Sequence, residues 1–144
     1  GKLSLTKKAD KLLDDKQNLL RLLFDTFASK FNWAYFDGFG QNNIGQLGFG
    51  FTLVLLSKYG NKKRPDSFYA EKYFTAFPEL LQTVESNVYS TREDDAFRCY
   101  SLRTFSRFLA YFGLIEVDRY KSFGSEADIT KRALFDKFIL YKPE

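Results

Sequence analysis

The sequence predicts a mainly α-helical fold of five or six helices with one small antiparallel β-hairpin and a winged-helix-like C-terminal part. Apolar residues recur at helical spacing over most of the chain. Alternating, β-branched stretches are confined to "LIEVDRY" and "DITKR" near the end. Between and before them, "RTFSRFLAYFGLIEVDRYKS" (103–122) runs from helix through a glycine stop into a strand, the order that carries the reading helix of a winged-helix domain.

Thr6 is placed to cap a long first helix whose Leu12, Leu13, Leu19, Leu20, Leu23 and Phe27 form an apolar stripe. Gly38, Gly40, Asn42 and Asn43 then signal a loop, packed down by the rings of Phe31, Trp33, Tyr35, Phe36 and Phe39. A second helix is expected over 43–59, with Gly60 at its C′ position. After "NKKRP", Asp66 or Ser67 caps a third helix to about Phe77, Pro78 breaks it, and a short fourth helix covers 79–86. "STRE" at Ser90–Glu93 reads as a capping box opening a helix to Phe112, with Gly113 as its stop. "LIEVDRY" is a strand, "KSFGSEAD" a turn or wing and "DITKR" the returning strand. "ALFDKFILY" closes as a helix with Leu134, Phe135, Phe138 and Ile139 on one side. "LTKKADKLL" and "ITKRALFDKFI" share a strand-to-helix texture with Thr as cap. Either this is common capping grammar, or Lys2 to Leu5 form a third strand beside the hairpin.

A length of 144 residues fits a single domain, 1–144, with a helical part (6–90) and a winged-helix-like part (90–142). With 44% hydrophobic and 19% aromatic residues the chain buries a ring-built core, which excludes disorder. The most apolar run, Phe51 to Leu56, is far short of the roughly 20 residues of a membrane span, so a soluble protein without a membrane partner is expected. Gly1 without any Met, and no signal-peptide h-region, lead us to expect a piece excised from a longer cytoplasmic protein. A lone Cys99 and no His exclude an internal disulfide and an ordinary zinc site. The net charge of +4 permits an acidic partner without demanding one.

Catalytic chemistry has little to work with. There is no His for a triad, and the adjacent pairs Asp14/Asp15 and Asp94/Asp95 diverge on their helices. "DGFGQNNIGQLGFG" (37–50) has Asn43 where a third dinucleotide-binding glycine would stand and lacks a P-loop Lys-Ser or Lys-Thr. Gly45, Gly48 and Thr52 read instead as small residues that let another helix approach. No cofactor or metal is expected. The candidate nucleic-acid contacts are Tyr100, Arg103, Thr104 and Arg107 on one side of the helix ending at Phe112, with Arg119 and Lys121 at the wing. Solvation explains that polar side equally well. A helix-turn-helix would need a closer predecessor than "NVYSTRE" allows, and Glu93, Asp94, Asp95, Glu116 and Asp118 would repel phosphates.

The segments "FNWAYFDGFG", "IGQLGFGFTLVLLSKYG", "FYAEKYFTAFP", "CYSLRTFSRFLAYFGLIEV" and "ITKRALFDKFI" together resemble a C-terminal domain of uncharacterised proteins from Bacteroides-type bacteria, the plasmid pRiA4b ORF-3-like group. The resemblance covers most of the chain and implies a domain of a larger bacterial protein. It carries no assigned activity and so no site residues. The expected function is a noncatalytic helical interaction or scaffolding domain, binding a protein partner or other domains of its own chain. The alternative is a winged-helix-type DNA-binding domain.

Overall fold

In a computed structural model of the chain, residues 4–35, 37–85, 88–119 and 126–140 are described. They are mainly helical with a small antiparallel sheet, and among them no helix is long and apolar enough to cross a membrane. The chain forms two compact units, 1–31 and 32–144.

The first unit holds α1 (Lys7–Leu13) and α2 (Lys16–Ser29). Thr6 caps α1 as expected, its hydroxyl accepting from the Ala9 amide at 3.2 Å. The expected single long helix is divided, because Asp15 leaves the helical conformation and its carboxylate accepts from the Asn18 amide at 3.1 Å, capping a new helix. α1 buries no residue and α2 buries only Phe24.

The second unit runs α3 (Phe49–Tyr59), β1 (Arg64–Pro65), α4 (Asp66–Ala76), a 3₁₀ helix (Pro78–Thr83), α5 (Arg92–Tyr100), a π-helix (Ser101–Leu109), β2 (Ile115–Arg119), β3 (Ala127–Lys131) and α6 (Ala133–Phe138). The sheet order is β1-β3-β2, with Val117 opposite Ile129 and Arg64 also opposite Ile129. A helix, a strand, four helical segments and a hairpin, with the first strand beside the last, give a winged-helix-like order. This order takes in α3, β1 and α4 as well as the described elements after residue 90. The strand that completes the sheet is the two-residue β1. Ser4 and Leu5 form no strand, and the rest of the "Lys2 to Leu5" segment lies outside the described residues. Thr130 lies within β3 and Arg132 is the N-cap of α6, so the two similar segments are not the same junction.

Several local expectations shift by a residue or a turn. α3 starts at Phe49, after turns through Gly45 and Gly48, both left-handed with φ of +82° and +71°. Gly60 is right-handed at φ −71°. What it needs is space, since a Cβ there would stand 2.6 Å from the Leu56 carbonyl and 3.2 Å from the Lys131 Cβ. The expected fourth helix is a 3₁₀ turn after Pro78. The capping box is formed by Thr91 and Asp94 instead of Ser90 and Glu93, while the Ser90 hydroxyl donates to Asp95 at 2.6 Å. On α6, Phe135 and Phe138 are buried but Leu134 is exposed.

The core is built from rings. Trp33, Phe49 and Phe108 meet at centroid distances of 4.6–5.2 Å, and Tyr73 stacks on Tyr100 at 4.4 Å. Tyr69 and Tyr100 meet Phe105 edge-on at 5.5 and 5.4 Å.

Candidate functional site

The residues proposed from sequence to contact nucleic acid fall on the α5–π-helix segment and on β2. An α-helical wheel places Tyr100, Arg103, Thr104 and Arg107 on a solvated side. The structure buries the first three. That side is covered by Thr52 and Tyr73, which meet Tyr100, and by the loop, which meets Arg103 and Thr104; the helix type also changes, Ser101–Leu109 being a nine-residue π-helix. Its exit shows the wider turn, the Ala110 amide donating to the Phe105 carbonyl at 2.8 Å, five residues back, before left-handed Gly113 closes the helix with the Leu114 amide on the Leu109 carbonyl at 3.0 Å. Each π residue advances by less than the 100° of an α-helix, so the wheel loses register across this segment.

Each buried polar group is accounted for separately. The Tyr100 hydroxyl shares a 2.9 Å hydrogen bond with the Thr52 hydroxyl, and burial pushes its ionisation far above the ordinary phenol range. Arg103 is held by the glycine-rich loop. Its Nε donates to the Asp37 carboxylate. Its Nη1 donates to the Asn42 carbonyl at 2.9 Å, to Asn42 Oδ1 at 2.7 Å and to the Ile44 carbonyl at 3.4 Å, and its Nη2 donates to the Gly40 carbonyl at 3.0 Å. Five N–H donors in a planar fork suit this role, gathering carbonyls of an irregular loop around one side chain. Thr104 packs against Gly45, and its hydroxyl is buried without a partner.

Tyr73 fixes the other end of the loop, its hydroxyl donating to the Leu47 carbonyl at 2.6 Å and accepting from the Gly45 amide at 3.0 Å. The segment "DGFGQNNIGQLGFG" is thus closed down on the protein's own side chains. Close packing at Gly45 and Gly48 holds, but through turns: a Cβ on Gly45 would lie 2.7 Å from Thr104 Oγ1, and one on Gly48 would meet the Phe77 ring. Cys99 is buried beneath the loop, and burial pushes its thiol up to about 12. A buried thiol shifted in this direction stays protonated near neutral pH, which disfavours nucleophilic attack.

Arg107 is exposed and donates to the Tyr35 carbonyl at 3.1 Å. Arg119 lies opposite Ala127 in the sheet, but its side chain and the whole of Lys121 lie outside the described residues. The first turn of α5, the end of a reading helix that meets base edges, exposes Glu93 and Asp94. The Thr91 hydroxyl and amide bond the Asp94 carboxylate and hold its pKa below the usual range, so it stays charged.

Sequence reasoning passed over a second group. Arg64 stands 4.5 Å from the Phe68 centroid and 5.6 Å from that of Tyr59; Lys72 stands 4.8 and 5.5 Å from the same two. Phe68 and Lys72, one turn apart on α4, are the pair that the sequence could have offered.

No family model matches the chain, and neither a curated protein nor a solved structure matches it.

Proposed function

We propose that this chain is a noncatalytic interaction module, a helical and winged-helix-like scaffold that binds a protein partner or other parts of a larger bacterial protein. The observation that carries the proposal lies in the first unit. α1 buries nothing and α2 only Phe24, while Leu5, Leu13, Leu22 and Leu23 remain exposed at 42–60%. Single exposed apolar residues are ordinary, but a helical pair with almost no buried side chain has an apolar face left for a partner. The buried, high-pKa Cys99 and the engaged glycine-rich loop support a noncatalytic role. We place the chain in the Bacteroides-type group and in the cytoplasm on the resemblance and on its single reduced cysteine.

A photo-crosslinking residue at Leu22 or Leu23, introduced in the source cells, tests this function. The expected result is a discrete protein adduct that is lost when the other leucine is changed to Glu. Absence of any adduct from both positions overturns the proposal.

DNA binding is the second reading, favoured by the β1-β3-β2 order and by exposed Arg92, Arg98 and Arg107. It ranks lower because Arg103 is spent on the loop and the leading turn of α5 is acidic. Anisotropy with a labelled random duplex at two salt concentrations decides it. Binding that falls steeply with salt and disappears in Arg98→Ala/Arg107→Ala would establish it; we expect none.

A further inference from the structure

Arg64, on β1, and Lys72, on α4, flank the same two rings, Tyr59 and Phe68, which meet edge-on at 5.3 Å. All four side chains are half-buried. Among the described residues neither cation has a carboxylate partner, unlike Lys63, which pairs with Asp118 at 2.6 Å, and Lys131, which pairs with Asp136 at 2.6 Å. The nearest acids in sequence do not serve. The Asp66 carboxylate accepts from the Ser101 hydroxyl and from the Ala127 amide at 3.3 Å, and Glu71, adjacent to Lys72 on α4, projects in another direction. Among the described residues Arg64 Nε is withdrawn from solvent without a hydrogen-bond partner, as is the hydroxyl of fully buried Tyr69, whose ionisation burial opposes and Arg64 only partly restores. Exposed Lys58 and Lys62 add positive charge nearby. Two like charges held half out of water over shared rings are poorly compensated within the fold, and an anionic group placed between them relieves both.

We propose that the notch formed by Tyr59, Arg64, Phe68 and Lys72 docks an acidic segment of a protein partner, whose carboxylates pair with Arg64 and Lys72. A peptide is favoured over nucleic acid by two features. Both rings already carry Arg64 and Lys72 within 4.5–5.6 Å of their centroids, so a base stacked there would compete with a cation. The basic area is small, and Lys63 beside it is already paired with Asp118, so a continuous phosphate array has no row of cations to follow. The site lies in the second unit, so it extends the proposed protein-binding function without depending on the leucines of α1 and α2.

The experiment titrates a fluorescein-labelled polyglutamate peptide with the whole chain by anisotropy, at low and at physiological ionic strength. The unchanged chain is expected to bind at low salt. Arg64→Gln/Lys72→Gln should bind about tenfold more weakly, as expected when two partly exposed ion pairs are lost. Lys16→Gln/Lys30→Gln, with the same change in net charge, should bind as the unchanged chain does. Far-UV circular dichroism verifies that each variant is folded, and Arg64→Lys should retain most of the affinity if charge at that position is what matters. The proposal is overturned by absence of binding at low salt, by equal losses in the two double variants, or by a random duplex that competes the peptide away through Arg64 and Lys72. None of these outcomes would alter crosslinking at Leu22 or Leu23, so the two proposals fail independently.

Discussion

Arg103 and Asp37, 66 residues apart in sequence, form an ion pair whose two side chains are completely withdrawn from solvent. The pair ties the π-helix to the start of the glycine-rich loop, and the remaining guanidinium donors collect the loop carbonyls. Removing one partner of such a pair strands a buried charge, which typically costs about 3–5 kcal/mol. Arg103→Ala and Asp37→Asn should each lower the urea midpoint, the first by more because it also orphans the carbonyls of Gly40 and Asn42. Arg107→Ala, which removes an exposed donor, should cost less than about 1 kcal/mol. Equal losses at Arg103 and Arg107 would contradict the loop-anchoring role of Arg103.

Gly45 is constrained twice, by a φ of +82° and by Thr104 Oγ1 at 2.7 Å from where a Cβ would lie. Gly45→Ala should therefore cost about 1–3 kcal/mol. Thr104→Ala removes the obstructing hydroxyl, itself unpartnered. In a double-mutant cycle the two changes should be less than additive, because the steric part of the Gly45 penalty disappears when Thr104 is gone and the backbone part remains. Strict additivity would locate the whole penalty in φ.

The helical class, the hairpin and the α5–Gly113–β2 passage were legible because each rests on local grammar: periodicity, a capping hydroxyl, a glycine with φ of +70° at 113. Three things were not. β1 is only Arg64–Pro65, too short for any alternation to register. Asp15 divides a helix whose apolar stripe continues through the break, so periodicity alone reads one helix where the cap makes two. The burial of three candidate contacts was hidden for a third reason, since a polar side reads as solvated until the loop and the helices that cover Tyr100, Arg103 and Thr104 are known. A buried arginine is legible only once its partners are known, and Asp37, Gly40, Asn42 and Ile44 are brought to Arg103 by the fold.

Cys99 should be inert in the native protein. It is buried, and burial raises its thiol to about 12, only partly offset by the neighbouring Arg103 charge. At pH 8 a thiol-specific reagent such as DTNB should leave it unmodified over the time in which denatured chain reacts completely. Because Cys99 lies under the Arg103-held loop, Arg103→Ala should accelerate the reaction before global unfolding is detectable by circular dichroism. Rapid modification of the unchanged chain would contradict the packed loop.

Alkaline pH should unfold the protein through its tyrosines. Burial raises Tyr69 and Tyr73 to about 12 and Tyr100 further, from an ordinary value of 10.0. A phenol that is harder to ionise when folded retains its proton in the native state while the unfolded chain loses it. Stability is then fully present below about pH 10, and falls as pH rises from there through the folded values near 12. Absorbance at 295 nm reports phenolate formation, and tyrosines of the unfolded chain ionise near the ordinary value. The buried three should ionise later, together with loss of the circular dichroism signal, since exposing one requires opening the ring cluster that holds Tyr69, Tyr73, Tyr100 and Phe105. Tyr100→Phe removes the phenol that resists ionisation most while keeping the ring, at the cost of orphaning the Thr52 hydroxyl. It should make the chain somewhat less stable at pH 7 and flatten the loss of stability above pH 10. A single titration of all tyrosines near pH 10 with the fold intact would show that these three are not buried in solution.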